Sequence, residues 1–211
     1  MIDFTGFFIS VDMRELRKFN DFSEGNLQKY QDEIGIIIDN ATNGMTEEER
    51  VEYTSLNDHI WWSSDISYPN LMRKSNFLSY FSYLEHQMNV LCKAMQKKHG
   101  YDISLEDLRG SGIVRARQYI MKVCLIKDAF NEYDWKRLRN YQGIRNSITH
   151  AYGDAQREEY LSVKDIEGVN GIDRINEFSE ESIEYTVDFN YSFIELIERI
   201  LNRLVTKCRA S

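Results

Sequence analysis

Apolar residues recur at three- and four-residue intervals along most of the chain, the pattern of helices that bury one face. Leu27, Tyr30, Ile34, Ile37, Ile38 and Ala41 predict a helix over residues 24–41, ended by the polar run after it. Thr46 and Glu49 form a T-x-x-E capping box, so a second helix starts there and runs to about residue 62 with an acidic outer face. Pro69 suits the first turn of a third helix, in which Phe77, Tyr80, Phe81, Leu84, Met88, Leu91, Cys92 and Met95 make a continuous apolar stripe. That stripe marks the central core helix, and His86 falls on its solvent side. Ser104 with Asp107 caps a short helix closed by Gly110 and Gly112. A helix over residues 113–132 then turns Ile113, Ala116, Ile120, Val123 and Cys124 inward. Asp134 is the expected N-cap of the next helix, which begins at Trp135 and ends near Gly153. Residues 161–166 and 183–188 alternate with period two around Gly168, Asn170 and Gly171, which predicts a small hairpin. Phe193, Ile194, Ile197, Ile200, Leu201, Leu204, Val205 and Cys208 return to helical spacing. Residues 1–22, with Phe4, Phe7, Phe8, Ile9 and Val11, fit either a short strand or an arm packed on the body.

These elements specify an all-α, up-and-down helical bundle with a small β-hairpin before the C-terminal helix. Composition agrees: one proline and 11 glycines among 211 residues are too few for a sandwich or barrel rich in tight turns. The length suits one structural unit, with residues 1–68 as an N-terminal helical extension packed on a core of residues 69–211. Cys92, Cys124 and Cys208 are odd in number and widely spaced, which indicates neither a disulfide framework nor a zinc site and fits a reducing cytoplasm. No apolar run approaches the length of a membrane span, and the N-terminus lacks the basic flank and apolar core of a signal peptide. Trp61 and Trp62 are expected to be packing aromatics rather than a platform for stacking bases.

The formal net charge of −8 argues against a polyanionic partner, but the distribution is uneven. Between Arg109 and His150, Arg109, Arg115, Arg117, Lys122, Lys127, Lys136, Arg137, Arg139 and Arg145 face only Asp128, Glu132 and Asp134. A basic segment on an acidic body suits one local anion site; the plain alternative is a set of solvated helix faces.

Within that segment, Arg145-Asn146-Ser147-Ile148-Thr149-His150-Ala151-Tyr152-Gly153 holds more chemistry than a helix needs. Arginine stabilises charge building on a phosphate, and histidine moves protons near neutral pH. RNA supplies its own nucleophile, the 2′-hydroxyl, so cleavage needs only a proton acceptor, a proton donor and stabilisation of the phosphorane, without metal or cofactor. His150 fits the acid/base role, Arg145 the electrostatic one, and Asn146 can orient the phosphate or the imidazole. Asn146 and His150 share a helix face, whereas Arg145 points roughly 140° from His150. Two copies meeting across a twofold axis would place one arginine near the other histidine. Gly143 hints at close packing at that turn. The structural alternative makes Arg145 an ion-pair residue and His150 a cation favoured by the helix C-terminus.

Arg145-Asn146-Ser147-Ile148-Thr149-His150 resembles the R-N-x-x-x-H form of the motif of HEPN-domain proteins, and Tyr152 extends it to the R-x4-H-x-Y form of HEPN toxins. The helix carrying Leu84-Glu85-His86 also resembles the early core helix of that bundle, and the likeness spans about residues 69–208. The resemblance implies a homodimer with a composite active site that acts as a metal-independent endoribonuclease in toxin–antitoxin or antiphage defence. Arg145, Asn146 and His150 would be its catalytic set, and Lys136, Arg137, Arg139 and Arg117 the RNA contacts. Tyr152 would be a site of modification by a nucleotidyltransferase-like antitoxin. A non-catalytic HEPN-like module that dimerises or scaffolds a protein or nucleotide partner is the alternative. The chain departs from the short toxins in its length, N-terminal extension and hairpin.

Overall fold

Helix α1 (Ile2–Ala41) is 40 residues long, so residues 2–22 are helical and form neither a strand nor a separate arm. Ile2, Ile9, Met13, Asn20, Leu27 and Ile38 fall on one buried face of it. The local cluster hides that face, because Phe7 and Phe8 point outward beside the inward Ile9. The computed structural model describes residues 2–151, 166, 168–172 and 182–211.

Both bonds of the predicted capping box form at the start of α2 (Glu47–Leu56): Glu49 N donates to Thr46 Oγ1 at 3.3 Å, and Thr46 N to Glu49 Oε2 at 2.7 Å. The helix stops well before residue 62. Asn57 Nδ2 donates to the Tyr53 carbonyl at 2.8 Å, a local bond that competes with the helical ladder. A single turn, α3 (Asp58–Trp61), and a π-helical turn over Trp62–Ser67 then lead directly into α4 (Tyr68–His99).

Pro69 lies in the first turn of α4, Gly100 ends it in the left-handed conformation, and all eight residues of the predicted stripe are buried. His86 is exposed, as its spacing requires. Ser104 and Asp107 cap the short 3-10 turn Leu105–Asp107. Helix α5 (Gly112–Gln118) continues as a π-helical turn through Val123 and ends there, rather than at residue 132. Leu125, at φ 59°, marks the break. Asn131, not Asp134, caps the following helix: its Oδ1 accepts from Tyr133 N at 2.8 Å and Asp134 N at 3.3 Å. Helix α6 (Glu132–Ala151) therefore starts one turn earlier than expected.

The strands β1 (Val169–Ile172) and β2 (Ser182–Tyr185) pair antiparallel, with Val169 opposite Tyr185. Asn170 and Gly171 thus belong to a strand rather than a turn, and residues 161–165 lie outside the described residues. The last helix, α7 (Val187–Ala210), buries every apolar position predicted for it.

The result is an α-helical bundle with a small sheet before its final helix. Helix α4 packs against α1, α5, α6 and α7, and α1 lies along α7. Gly6 permits that approach, since a Cβ there would sit 2.9 Å from Val205 Cγ1 and 2.6 Å from Arg209 Nη2. Phe77, Phe81, Tyr141, Phe189 and Phe193 join α4, α6 and α7 in one aromatic cluster, with Phe77 and Phe193 rings 4.8 Å apart. A polar clasp holds the sheet to the bundle. Arg73 makes a two-pronged ion pair with Glu24 at 2.9 and 2.7 Å and donates to the Tyr185 carbonyl at 2.8 Å, while Asn70 Oδ1 accepts from Tyr185 N at 2.8 Å.

Candidate functional site

Helix α6 carries most of the candidate residues, and its two faces differ sharply. Leu138, Tyr141, Ile144 and Ser147 are buried at three-residue spacing and fix the inner face on α4 and α7. Near its start, Asp134 accepts from Arg199 of α7 at 3.2 Å. The outer face presents Lys136, Arg139, Gly143 and Asn146, all exposed, at intervals of three, four and three residues. His150 is the next position in that progression. Its backbone is helical, while its side chain lies outside the described set.

Arg145 sits at the edge of the inner face and is half-buried. Its Nη1 donates to Asn146 Oδ1 at 3.1 Å, which brings the guanidinium toward the outer face and leaves the Asn146 amide donors directed by that bond. Thr149 takes no part, because its hydroxyl donates within the helix to the carbonyls of Arg145 at 2.9 Å and Asn146 at 3.1 Å. Ser147 is buried and its hydroxyl has no partner among the described residues.

A Cβ at Gly143 would meet no atom of the described residues within 4 Å, so none of them makes the close approach its glycine permits. Lys136 and Arg139 lie about 9–14 Å before Arg145 at the helical rise. Arg139 hydrogen-bonds Gln142, and Arg137 sits over the Tyr133 ring at 5.9 Å. Arg117, from α5, is already engaged: it pairs with Glu132 at 2.5 Å and covers the Trp135 ring at 4.4 Å. The structure therefore gathers Lys136, Arg139, Arg145 and Asn146 along one helix and sets Arg117 at the foot of it as a packing cation. Tyr152 lies outside the described residues.

Two described clefts are elsewhere. One is lined by Asp58, His59, Trp61, Trp62, Asp65 and Ile66, and here the expectation for the tryptophans needs correction: they are 39% and 46% exposed. Their turn packs on α1 and α4 through other residues, such as buried Ser64, which leaves both indoles at the rim. The other cleft lies beside the Arg73 clasp, with Asp21, Glu24 and Tyr191 in its wall. Sequence spacing did not signal the second, because it is assembled from α1, α4, β2 and α7, whereas the first is drawn from the single stretch 58–66.

Among the described residues no group of three or more His, Cys, Asp and Glu side chains is placed to hold a metal ion, and no helix is long and apolar enough to cross a membrane. No protein-family model, curated protein or solved structure matches the chain.

Proposed function

We propose that this chain is a metal-independent endoribonuclease of HEPN type that works as a homodimer, with Arg145, Asn146 and His150 as its catalytic set. The observation that carries the reading is the Arg145–Asn146 hydrogen bond on the uncovered side of α6. It supplies a guanidinium and an amide, already aligned, one turn from the His150 position. The exposed stripe, where no described atom lies within 4 Å of a Cβ at Gly143, gives a second copy of α6 room to approach.

In this mechanism His150 accepts the proton of the RNA 2′-hydroxyl, whose oxygen attacks the adjacent phosphorus, or donates a proton to the departing 5′-oxygen. Arg145 stabilises the charge gathered on the phosphorane oxygens, and Asn146 orients the phosphate. The products are a 2′,3′-cyclic phosphate and a 5′-hydroxyl. Lys136 and Arg139 hold flanking phosphates, with Arg137 beside them; Arg117 contributes by bracing the start of α6. A role as toxin or antiphage effector, neutralised by a nucleotidyltransferase-like antitoxin that modifies Tyr152, extends the same proposal.

The test compares wild-type protein with His150→Ala and Arg145→Ala on a mixed RNA substrate in the presence of EDTA, with size analysis of each variant. Wild type should cleave and leave cyclic phosphate ends, while both variants lose cleavage and stay dimeric. Cleavage that persists in both purified variants sinks the proposal.

A further inference from the structure

Helix α2 is anomalous for a 10-residue helix because it has no buried residue. Short helices gain little from propensity alone and normally depend on an apolar face packed against something. Here Val51 and Leu56 are 59% and 71% exposed. The next elements repeat the pattern: Trp61 and Trp62 form, with Ile66, the apolar part of a cleft whose remaining walls are Asp58, His59 and Asp65. The π-helical turn that carries Trp62 is held from behind, where Gln31 Nε2 donates to the Ser64 carbonyl at 3.1 Å and the Tyr30 and Tyr68 rings lie 5.8 Å apart. The indoles are therefore presented by a fixed support. π-Helical turns of this kind interrupt helices where function demands it more often than elsewhere.

Charge defines what fits. Residues 24–67 hold ten carboxylates against two cations, Lys29 and Arg50, and so carry an excess equal to the whole chain's −8. Glu47, Glu48, Glu49 and Glu52 are all exposed on α2, as are Asp58 and Asp65 around the tryptophans. Such a surface repels RNA phosphates and anionic lipid headgroups. It attracts Lys and Arg, and exposed indoles add cation–π attraction to the same groups.

We infer that the Trp61–Trp62 cleft, beside the acidic helix α2, is a docking surface for a basic amphipathic segment of a protein partner. Its apolar side chains cover Trp61, Trp62 and Ile66, its Lys or Arg residues pair with Asp58 and Asp65, and the exposed carboxylates of α2 add to the attraction. The surface uses no residue of the outer face of α6, so it stands or falls independently of the ribonuclease reading.

Full-length protein is titrated into a labelled helical peptide of repeating Leu and Lys, and binding is followed by fluorescence anisotropy. Two comparison peptides replace Leu by Ser or Lys by Glu. The Leu/Lys peptide should bind saturably, the Ser/Lys peptide about tenfold more weakly, and the Leu/Glu peptide not at all. Trp61→Ser with Trp62→Ser, and separately Asp58→Asn with Asp65→Asn, should each weaken Leu/Lys binding by about tenfold while the circular dichroism spectrum stays unchanged. Undiminished binding in either double variant overturns the inference, as does equal binding of the Ser/Lys peptide. Conversion of a dimer to a monomer by the tryptophan variant, seen by sedimentation without peptide, also overturns it, because a second copy of the chain then occupies the surface.

Discussion

The rings of Tyr141 on α6 and Phe193 on α7 lie 4.6 Å apart, and both side chains are fully buried. Tyr141 is one helical turn before Arg145, so the contact that seals the core also sets the height and rotation of the candidate site. Truncation of either ring to alanine should destabilise the fold by about 3–5 kcal/mol, measured by urea denaturation. Phe193→Leu, which keeps most of the volume, should cost less than about 1.5 kcal/mol. Equal losses for Phe193→Leu and Phe193→Ala would show that the ring is not packed as described.

Gly143 separates stability from self-association. Its site is open and helical, so Gly143→Ala should stabilise the single chain by about 0.5–1 kcal/mol through reduced backbone freedom in the unfolded state. The added methyl should weaken dimerisation if a second α6 crosses at that turn. Thermal denaturation and sedimentation of the same variant give the two readings, and an unchanged dimer constant removes Gly143 from the interface.

Gly6 predicts the opposite sign for the same substitution. A Cβ would lie 2.9 Å from Val205 Cγ1, so α1 must shift against α7. Overpacking of this kind costs about 1–3 kcal/mol and outweighs the helix propensity gained, about 1 kcal/mol. Gly6→Ala should therefore lower the denaturation midpoint, and a raised midpoint would show that α1 is looser on α7 than the structure has it.

The clasp between Arg73 and Glu24 is more than four-fifths covered on both sides. Arg73→Ala leaves a buried carboxylate without its partner and removes the donor to Tyr185, so a loss of about 3–5 kcal/mol is expected. Arg73→Met combined with Glu24→Leu should recover much of that loss, because no buried charge remains. A double variant as unstable as Arg73→Ala would show that the bond to the Tyr185 carbonyl is the larger contribution.

The cysteines give a pH dependence. Burial pushes the Cys208 thiol from 9.0 up to about 11 and the Cys124 thiol from 9.0 up to about 12. A raised thiol value means that the fold favours the protonated form, so this contribution to stability is complete below pH 9 and is lost as pH rises through about 11. Native protein should resist iodoacetamide at pH 9 and react only as denaturant unfolds it. Fast labelling of Cys124 or Cys208 in native conditions would contradict their burial.

Long stripes were legible without the structure. The eight apolar residues of α4 and those of α7 recur every three or four positions over many turns, and such repetition has one physical solution, a helix with one face in the core. The Thr46–Glu49 box was equally clear, since both halves of its bonding are local. Arg145, Asn146 and the His150 position were likewise visible as helix neighbours. Boundaries were less legible. Asn131 outcompeted Asp134 as a cap because Asp134 is taken by Arg199, 65 residues away, and α1 absorbed the N-terminal phenylalanines because its partner face lies on α7.

The sequence by itself determined the helical class, the core stripes and the candidate chemistry on α6, because each depends on residues within a few turns of one another. The tertiary structure alone decided which face of α6 is exposed, that Arg117 is consumed by Glu132 and Trp135, and that the two tryptophans stand at a rim. Those outcomes turn on which helix occupies which neighbour, and spacing along one chain cannot encode the surfaces that distant segments cover.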